Sequence, residues 1–340
     1  MFSNFYINKI IRESTTIKSF YLKPKEECEL EDYQPGQFVT VRVKTRSGEV
    51  VTRNYTLSDA PNGDNLRLTI KRETKGQMSR YFHDVLQVGD EIEVSAPMGD
   101  FHLNTKSTSP IVLISGGVGI TPMISMLEYV SANQRDREIH FLHSSLDKNV
   151  QPFIKRLNDL KTANPNLKLS IYHSTPLKTE KSGLDYDFEG FIDKDGLSRT
   201  VSQDSNYFLC GPSGFMNAMY DHLVDLNVPE EDILYEFFGQ GKKLGTERSN
   251  DNSESQITVL FSGSGIETLW NSDMSSILDL AESEGLAPPS SCRMGTCSTC
   301  ESQLLGGTIL YDPEPFMMPS ADDKIFICCA RPTSDINLNI

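Results

Sequence analysis

The chain has 340 residues, room for two or three domains that each bury a core, and its 38% hydrophobic and 23% charged residues are the balance of a soluble globular protein. No apolar run approaches the ~20 residues of a membrane span, and Met1–Ile10 lacks the basic, apolar and small-residue regions of a secretory signal, so a cytoplasmic location is expected. The net charge of −15 argues against nucleic-acid phosphate as a partner; between Ser255 and Ile340 eleven acidic residues face only three basic ones, a surface suited to a partner with a basic docking patch.

The first hundred residues alternate as strands do. Val39, Val41 and Val43 point one way and Thr40 and Arg42 the other; Leu66, Leu68 and Ile70 repeat the pattern, as do Ile92 and Val94. Pro35-Gly36, Ser47-Gly48, Asn62-Gly63 and Gly89-Asp90 supply turns between them, which predicts a small antiparallel β-barrel over 1–104 with one helix near Met78–Leu86. Two stretches in it carry chemistry. Arg53-Asn54-Tyr55-Thr56-Leu57-Ser58 lies on a barrel strand, and Lys71-Arg72-Glu73 precedes Gly76-Gln77-Met78-Ser79 at a helix start. A helix N-terminus with a serine and a basic residue close by is a ready phosphate site.

The period then changes. Ile111-Val112-Leu113-Ile114 reads as a strand buried on both faces. Further strands fit Ile139–Leu142, Leu167–Tyr172, Tyr207–Cys210 and Ile233–Phe238, with helices at Pro122–Ser131, Phe153–Leu160 and Phe215–Leu226. This alternation predicts a parallel-sheet α/β domain over 105–240. Gly116-Gly117-Val118-Gly119-Ile120-Thr121-Pro122 stands at a strand-to-helix turn, the context in which glycines let a pyrophosphate approach the backbone. Cys210-Gly211-Pro212 and Met216 form a matching turn at a later strand end. After Leu142 come His143-Ser144-Ser145-Leu146-Asp147; the acidic residue disfavours a 2′-phosphate, so NADH is expected ahead of NADPH. His83, His102, His140, His143, His173 and His222 show no ligand spacing, and most are expected at the surface.

Residues 241–255 are polar and rich in Gly, Ser and Asn, and read as a linker. The unit at 256–340 is predicted to place strands at Ile257–Phe261 and Glu267–Trp270 and a helix at Ser275–Glu284, closed by Gly285. Five of the seven cysteines fall in the last 49 residues, an odd and clustered set that points to metal or redox chemistry rather than disulfides. Cys292, Cys297 and Cys300 with the distant Cys328 have the C-x4-C-x2-C…C spacing of a plant-type [2Fe–2S] cluster. Gly295, Ser298 and Thr299 let the loop fold close around a negatively charged group. The alternative is zinc, which more often takes two short Cys/His clusters.

The loop resembles that of plant-type ferredoxins: Ser-Cys-Arg-x-Gly-x-Cys-Ser-x-Cys, then Cys328-Cys329-Ala330-Arg331-Pro332. That register makes Cys328 the ligand and Cys329 a bystander, with Met294 where those ferredoxins commonly have Ala. Phe5 to Phe238 resembles the ferredoxin-NADP+ reductase superfamily, and most of all the reductase module of flavohaemoglobins (RNYTLSDAP, IKRETKGQMSRYFHD, YEFFG). The phthalate-dioxygenase-reductase branch, which uses FMN, has a similar domain order. The resemblance implies that Arg53 and the Gly76–Ser79 turn, Gln77 and Met78 included, hold the phosphates of FAD, expected ahead of FMN; Leu57 and Lys71 are further candidate cofactor-binding residues. Tyr55 would stack on the isoalloxazine and Thr56 would reach the edge where hydride arrives. Gly116, Gly117, Gly119, Thr121, Gly211 and Pro212 would hold the nucleotide, with Cys210 beside the nicotinamide and Glu236 and Phe238 at the flavin. Thr56, Cys210 and Glu236 are therefore the candidate catalytic residues. The implied activity is an NADH-dependent reductase that feeds single electrons to a second protein, first of all the oxygenase component of a Rieske-type system. Reductases of hybrid cluster proteins, and stand-alone ferric or quinone reductases, are the competing readings.

Overall fold

The computed structural model describes residues 2–340 except 26–31, 46, 47, 49, 62, 75, 201–203, 239–243, 245–256, 272, 273, 275, 291, 292, 294, 296, 313, 314, 316 and 317. The chain divides into two compact units, Met1–Phe238 and Gly239–Ile340. The stretch read as a linker lies outside the described residues apart from Leu244, which is buried.

The first unit begins with six antiparallel strands: β1 (Phe2–Arg12), β2 (Ile17–Pro24), β3 (Phe38–Lys44), β4 (Val50–Thr56), β5 (Leu66–Lys71) and β6 (Glu91–Ser95). Their order is β4-β3-β6-β1-β2-β5, and Leu57, just beyond β4, bridges to Leu68 in β5, bringing the two edges together as a barrel requires. Phe20, Leu22, Leu57, Leu68 and Phe82 fill it, Phe82 coming from the single helix α1 (Gln77–Asp84). β1 escapes a period-two reading because a bulge between Ile7 and Lys9 shifts its register against β2.

Next come β7 (Ile111–Gly116), α2 (Ile120–Asn133), β8 (Ile139–Ser145), α3 (Ile154–Ala163), β9 (Leu167–His173), β10 (Phe188–Glu189), α4 (Lys194–Ser198), β11 (Asn206–Cys210), α5 (Ser213–Asp225) and β12 (Ile233–Glu236). The sheet is parallel, in the order β10-β9-β8-β7-β11-β12. From β7 the chain builds outward first through β8 and β9, then on the other side through β11 and β12. The gap between the ends of β7 and β11 is thus a topological switch point, where such sheets bind ligands.

β8 differs from its sequence bounds: it continues through His143, Ser144 and Ser145 rather than ending at Leu142. Four of the six histidines are partly exposed, while His143 and His173 are completely buried. Hydrogen bonds from neighbouring polar groups make that burial tolerable.

The second unit has β13 (Thr258–Phe261), β14 (Ile266–Leu269), α6 (Ile277–Ser283), β15 (Glu301–Gly306), β16 (Ile309–Tyr311), β17 (Lys324–Phe326), β18 (Ala330–Pro332) and β19 (Ile336–Leu338). Five strands pair as β14-β13-β19-β15-β17, and β16 pairs with β18. The Ser276 hydroxyl caps α6 by accepting from the Asp279 N–H, and Gly285 ends it at φ +81°. Val259, Phe261, Leu278, Phe326 and Leu338 form a core belonging to this unit alone.

Because each unit has its own core, Phe261→Ala is expected to cost the second unit about 3–5 kcal/mol. In calorimetry it should lower one thermal transition and leave the first unit's transition in place; a joint shift of both would contradict separate cores.

Candidate active site and cysteine cradle

At the switch point the two glycine-bearing turns touch. A Cβ on Gly119 would stand 2.3 Å from the Cys210 carbonyl oxygen and 2.7 Å from the Gly211 nitrogen. A Cβ on Gly211 would lie 2.7 Å from the Phe215 ring and 3.1 Å from the Gly116 nitrogen. Gly117 takes φ +56°, open on its Cβ side. Thr121 is buried and donates from Oγ1 to the Val118 carbonyl at 3.2 Å, tying the turn to the first turn of α2. Pro212 caps α5 from the N-terminal side. The structure thus brings Gly116, Gly117, Gly119, Thr121, Cys210, Gly211 and Pro212 together, with bare backbone where a pyrophosphate would lie.

Across the carboxyl ends of β12, β11, β7 and β8, Glu236, Cys210, Ser115 and His143 stand in register. Burial, and then the proximity of Glu236, pushes the Cys210 thiol well up, so it is uncharged. Glu236 Oε2 is buried and has no hydrogen-bond partner, and burial pushes its carboxyl up to about 8. A buried, orphaned, protonated carboxyl at the switch-point end of the sheet fits a site that a bound ring completes. Sequence reading missed the rest of the row. His143 accepts or donates at Nδ1 to Ser115 Oγ and at Nε2 to Ser145 Oγ, both at 2.8 Å. Burial, with His173 nearby, holds its pKa down at about 3, leaving a neutral ring between two adaptable hydroxyls. Ser115, His143 and Cys210 stand at equal offsets from the strand starts Ile111, Ile139 and Asn206, a match that the sequence bound at Tyr207 hid.

On the barrel, β4 presents Arg53, Tyr55 and Thr56. Arg53 donates from Nη1 to the Thr52 carbonyl at 2.7 Å. The half-buried Tyr55 ring meets Phe82 edge-on, with centroids 5.6 Å apart, which fixes its plane; burial raises its phenol pKa against the opposing charge of Arg53. Gly76 begins α1, where a Cβ would come within 2.3 Å of Ser79 Oγ. Ser79 Oγ accepts from the Glu73 N–H at 3.1 Å and donates to the Gly76 carbonyl at 3.3 Å. That hydroxyl therefore shapes the turn, whose backbone from Gln77 onward would be its donor to a phosphate. Leu57 and Met78 face the barrel core, and the Leu57 N–H is bonded to the Gln37 carbonyl. Lys71 is exposed and paired with Glu73 at 2.8 Å. Phe238, half-exposed, stands just past the end of β12.

In the second unit Cys300 and Cys328 are buried and Cys297 is partly exposed; Cys292 lies outside the described residues. Cys328 follows β17 and Cys300 immediately precedes β15. The Gly295 N–H donates to Cys328 sulfur and the Cys328 N–H to Cys300 sulfur. Ser298 at φ 54° and Gly295 at φ 66° curl the loop. The hydrogen bond with Cys328, and then burial, push the Cys300 thiol far up: sulfurs this close ionise together only around a cation. Backbone donors on crowded sulfurs are what a cluster needs. Among the described residues no three metal-type side chains close on one ion. A [2Fe–2S] cluster needs four thiolates, so the set is complete only with Cys292. Cys329 is buried, with its sulfur 3.4 Å from that of Cys328.

Comparison with known proteins agrees with this layout. Residues 4–103 match the oxidoreductase FAD-binding domain family, 113–221 the oxidoreductase NAD-binding domain family, and 259–333 the 2Fe-2S iron-sulfur cluster binding domain family. A flavohemoprotein of Rhizobium meliloti (strain 1021) is 39% identical over 234 residues, 67% of this chain and 58% of that protein. This chain thus spans about three fifths of that relative's length. The flavohem-like FAD/NAD-binding domain of nitric oxide dioxygenase from Vibrio cholerae O1 biovar El Tor is 30% identical with a TM-score of 0.63, over 70% of this chain and 98% of that one. A phthalate dioxygenase reductase shares the fold along 100% of this chain and 98% of its own, at 23% identity and a TM-score of 0.62. Fold and site together define a flavin- and nicotinamide-dependent oxidoreductase. The chain belongs to the ferredoxin-NADP+ reductase superfamily, with a plant-type [2Fe–2S] ferredoxin domain at its carboxyl end. No helix among the described residues is long and apolar enough to cross a membrane.

Two outcomes test the site. Gly119→Ala should weaken NAD+ binding at least about tenfold with unchanged circular dichroism, because the new methyl separates the two turns; undiminished affinity would mean that they need not touch. Glu236 holds its proton more tightly in the folded chain than in the unfolded one, so its contribution to stability is complete below about pH 4.5 and is lost as pH rises through about 8. Melting temperatures measured from pH 4.5 to 8 should therefore fall more steeply for the wild type than for Glu236→Gln.

Proposed function

We propose that this chain oxidises NADH and delivers the electrons one at a time to a separate acceptor protein, the oxygenase component of a Rieske-type system. The observation that carries the reading is the pairing, within one chain, of a nucleotide crevice beside a flavin-type strand with a cradle of clustered cysteines. FAD, when bound, takes up hydride as an electron pair, and a [2Fe–2S] cluster handles single electrons.

The remaining work falls to the protein's own side chains. The backbone of the Gly116–Gly119 turn and of Gly211 holds the nucleotide pyrophosphate. The uncharged Cys210 thiol offers the nicotinamide a small, soft neighbour that carries no competing charge. Tyr55, held by Phe82, and the Thr56 hydroxyl orient the flavin, while Arg53 and the backbone of Gly76–Ser79 hold its phosphates. Glu236 keeps a proton on its buried carboxyl at neutral pH, a reserve beside the reacting rings. Such catalysis rests on proximity and stacking more than on acid–base groups. Cys292, Cys297, Cys300 and Cys328 hold the cluster, and the acidic second unit favours a basic acceptor. An oxygenase component is favoured by the domain order shared along the whole chain with a phthalate dioxygenase reductase.

NADH is the donor because Asp147 lies two residues beyond β8, its carboxylate accepting from the Asn149 N–H at 2.7 Å, where a 2′-phosphate would meet negative charge. Asp147→Asn should move the NADPH-to-NADH ratio of kcat/KM about tenfold toward NADPH; an unmoved ratio refutes the role given to Asp147.

Anaerobic NADH should bleach both the flavin and the iron–sulfur absorbance of the reconstituted protein. Cys300→Ser should retain NADH–ferricyanide activity within about twofold while losing more than about tenfold of the reduction of a one-electron acceptor protein. Equal loss of both activities would contradict the order of transfer, and a chain that NADH leaves coloured would end the reading.

A further inference from the structure

Of the two orphaned buried carboxylate oxygens among the described residues, one is in the site and the other is Asp59 Oδ2, which is not. Asp59 sits where the barrel meets the α/β layer of the first unit. Its Oδ1 accepts from Tyr33 Oη and from the Arg67 N–H, each at 3.0 Å, and its carbonyl accepts from Ser125 Oγ of α2 at 2.6 Å. Arg67 of β5 reaches across to Glu128 of α2 with Nη2 3.2 Å from Oε2, and both side chains are under a tenth exposed. Arg156 of α3 donates to the same Glu128 at 2.8 Å. The Arg67 guanidinium also lies 5.0 Å from the Phe153 ring centroid, Phe153 being held at φ 59°.

A seam of this kind is a poor way to gain stability. Desolvating two charges offsets most of their attraction, and apolar replacements of buried ion pairs are often neutral or stabilising. Directional bonds do supply a fixed register, because a polar pair tolerates far less sliding than interdigitated methyl groups. The two ends of this seam lead to the two halves of the site. Asp59 is three residues beyond Thr56 on the flavin-bearing chain, and Glu128 lies on α2, the helix that the Gly116–Gly119 turn opens.

We propose that the Arg67–Glu128 pair and the Ser125–Asp59 bond form a strut that sets the distance between nicotinamide and flavin, making Arg67, Asp59, Ser125 and Glu128 positioning residues for hydride transfer. This rests on the function proposed above. Displacing reacting atoms by about 1 Å costs on the order of a hundredfold in rate, so a strut far from the chemistry has leverage on it.

The test is anaerobic stopped-flow bleaching of the FAD-loaded full chain by NADH and by NADH deuterated at the transferred position. In Arg67→Met/Glu128→Met the flavin content and melting temperature should stay near wild type, and the NADH concentration for half-maximal rate should stay within about twofold. The limiting rate should fall about tenfold or more, with a changed primary isotope effect. A variant that were merely loosened would lose flavin or thermal stability and keep the isotope effect. Should the double variant fail to fold, Ser125→Ala carries the test, with an expected loss of about threefold and a shifted isotope effect. Wild-type rate and isotope effect in either folded variant would overturn the proposal. If NADH leaves the wild-type flavin coloured, the functional reading fails instead, and the strut with it.

Discussion

Gly119 has no room for a side chain, because the carbonyl of Cys210 occupies the place where a Cβ would go. Two strand-to-helix turns, ninety residues apart in sequence, are thereby pressed into one surface. Each contributes backbone rather than side chains, and backbone is what a pyrophosphate recognises. The approach is possible because β7 and β11 are neighbours in register, with Ser115 opposite Cys210. From that contact follow the position of Cys210 in the crevice, the alignment of Glu236 beside it, and the direction in which α2 leaves the sheet.

α2 meets the barrel through charge at the Arg67–Glu128 pair as well as through the apolar cluster that Met126 shares with Phe101 and Leu103, and here sequence reading reached its limit. Leu66, Leu68 and Ile70 announce a strand whose other face, Arg67 and Thr69, should look into water by the period-two rule. In the structure that face is covered, and Arg67 and Thr69 are as buried as the leucines. Nothing local to β5 signals a helix lying over it. The same holds for His143 and its serines, which read as a loop because polar residues inside a parallel sheet are unusual until their partners are known. The elements that could be read from the sequence were those written into hydrophobic alternation and apolar runs, such as the strands around Val39–Val43, Leu66–Ile70 and Ile111–Ile114, and those written into glycine and proline placement, such as the two strand-to-helix turns and the start of α1. Resemblance put Cys210 beside the nicotinamide and Glu236 at the flavin; their register partnership across β11 and β12, and the orphaned state of the Glu236 carboxyl, come from the fold alone.

Electrostatics divides the molecule by task. At the carboxyl ends of β8, β11 and β12 three titratable groups are held uncharged: a neutral imidazole, an un-ionised thiol and a protonated carboxyl. For the hydride transfer proposed above, such an uncharged row would give neither redox form of the nicotinamide a strong local bias. The second unit does the opposite, gathering sulfurs that ionise only around a cation and carrying much of the chain's excess negative charge.

The separation of the two cores has an evolutionary consequence. In the function proposed above, the residues that choose the electron source are packed in one core and those that would meet the recipient in another, so substitutions that retune one are expected to leave the folding of the other untouched. A lineage built this way can trade recipients by recombination at the junction, keeping an inherited oxidation chemistry while its downstream metabolism diversifies.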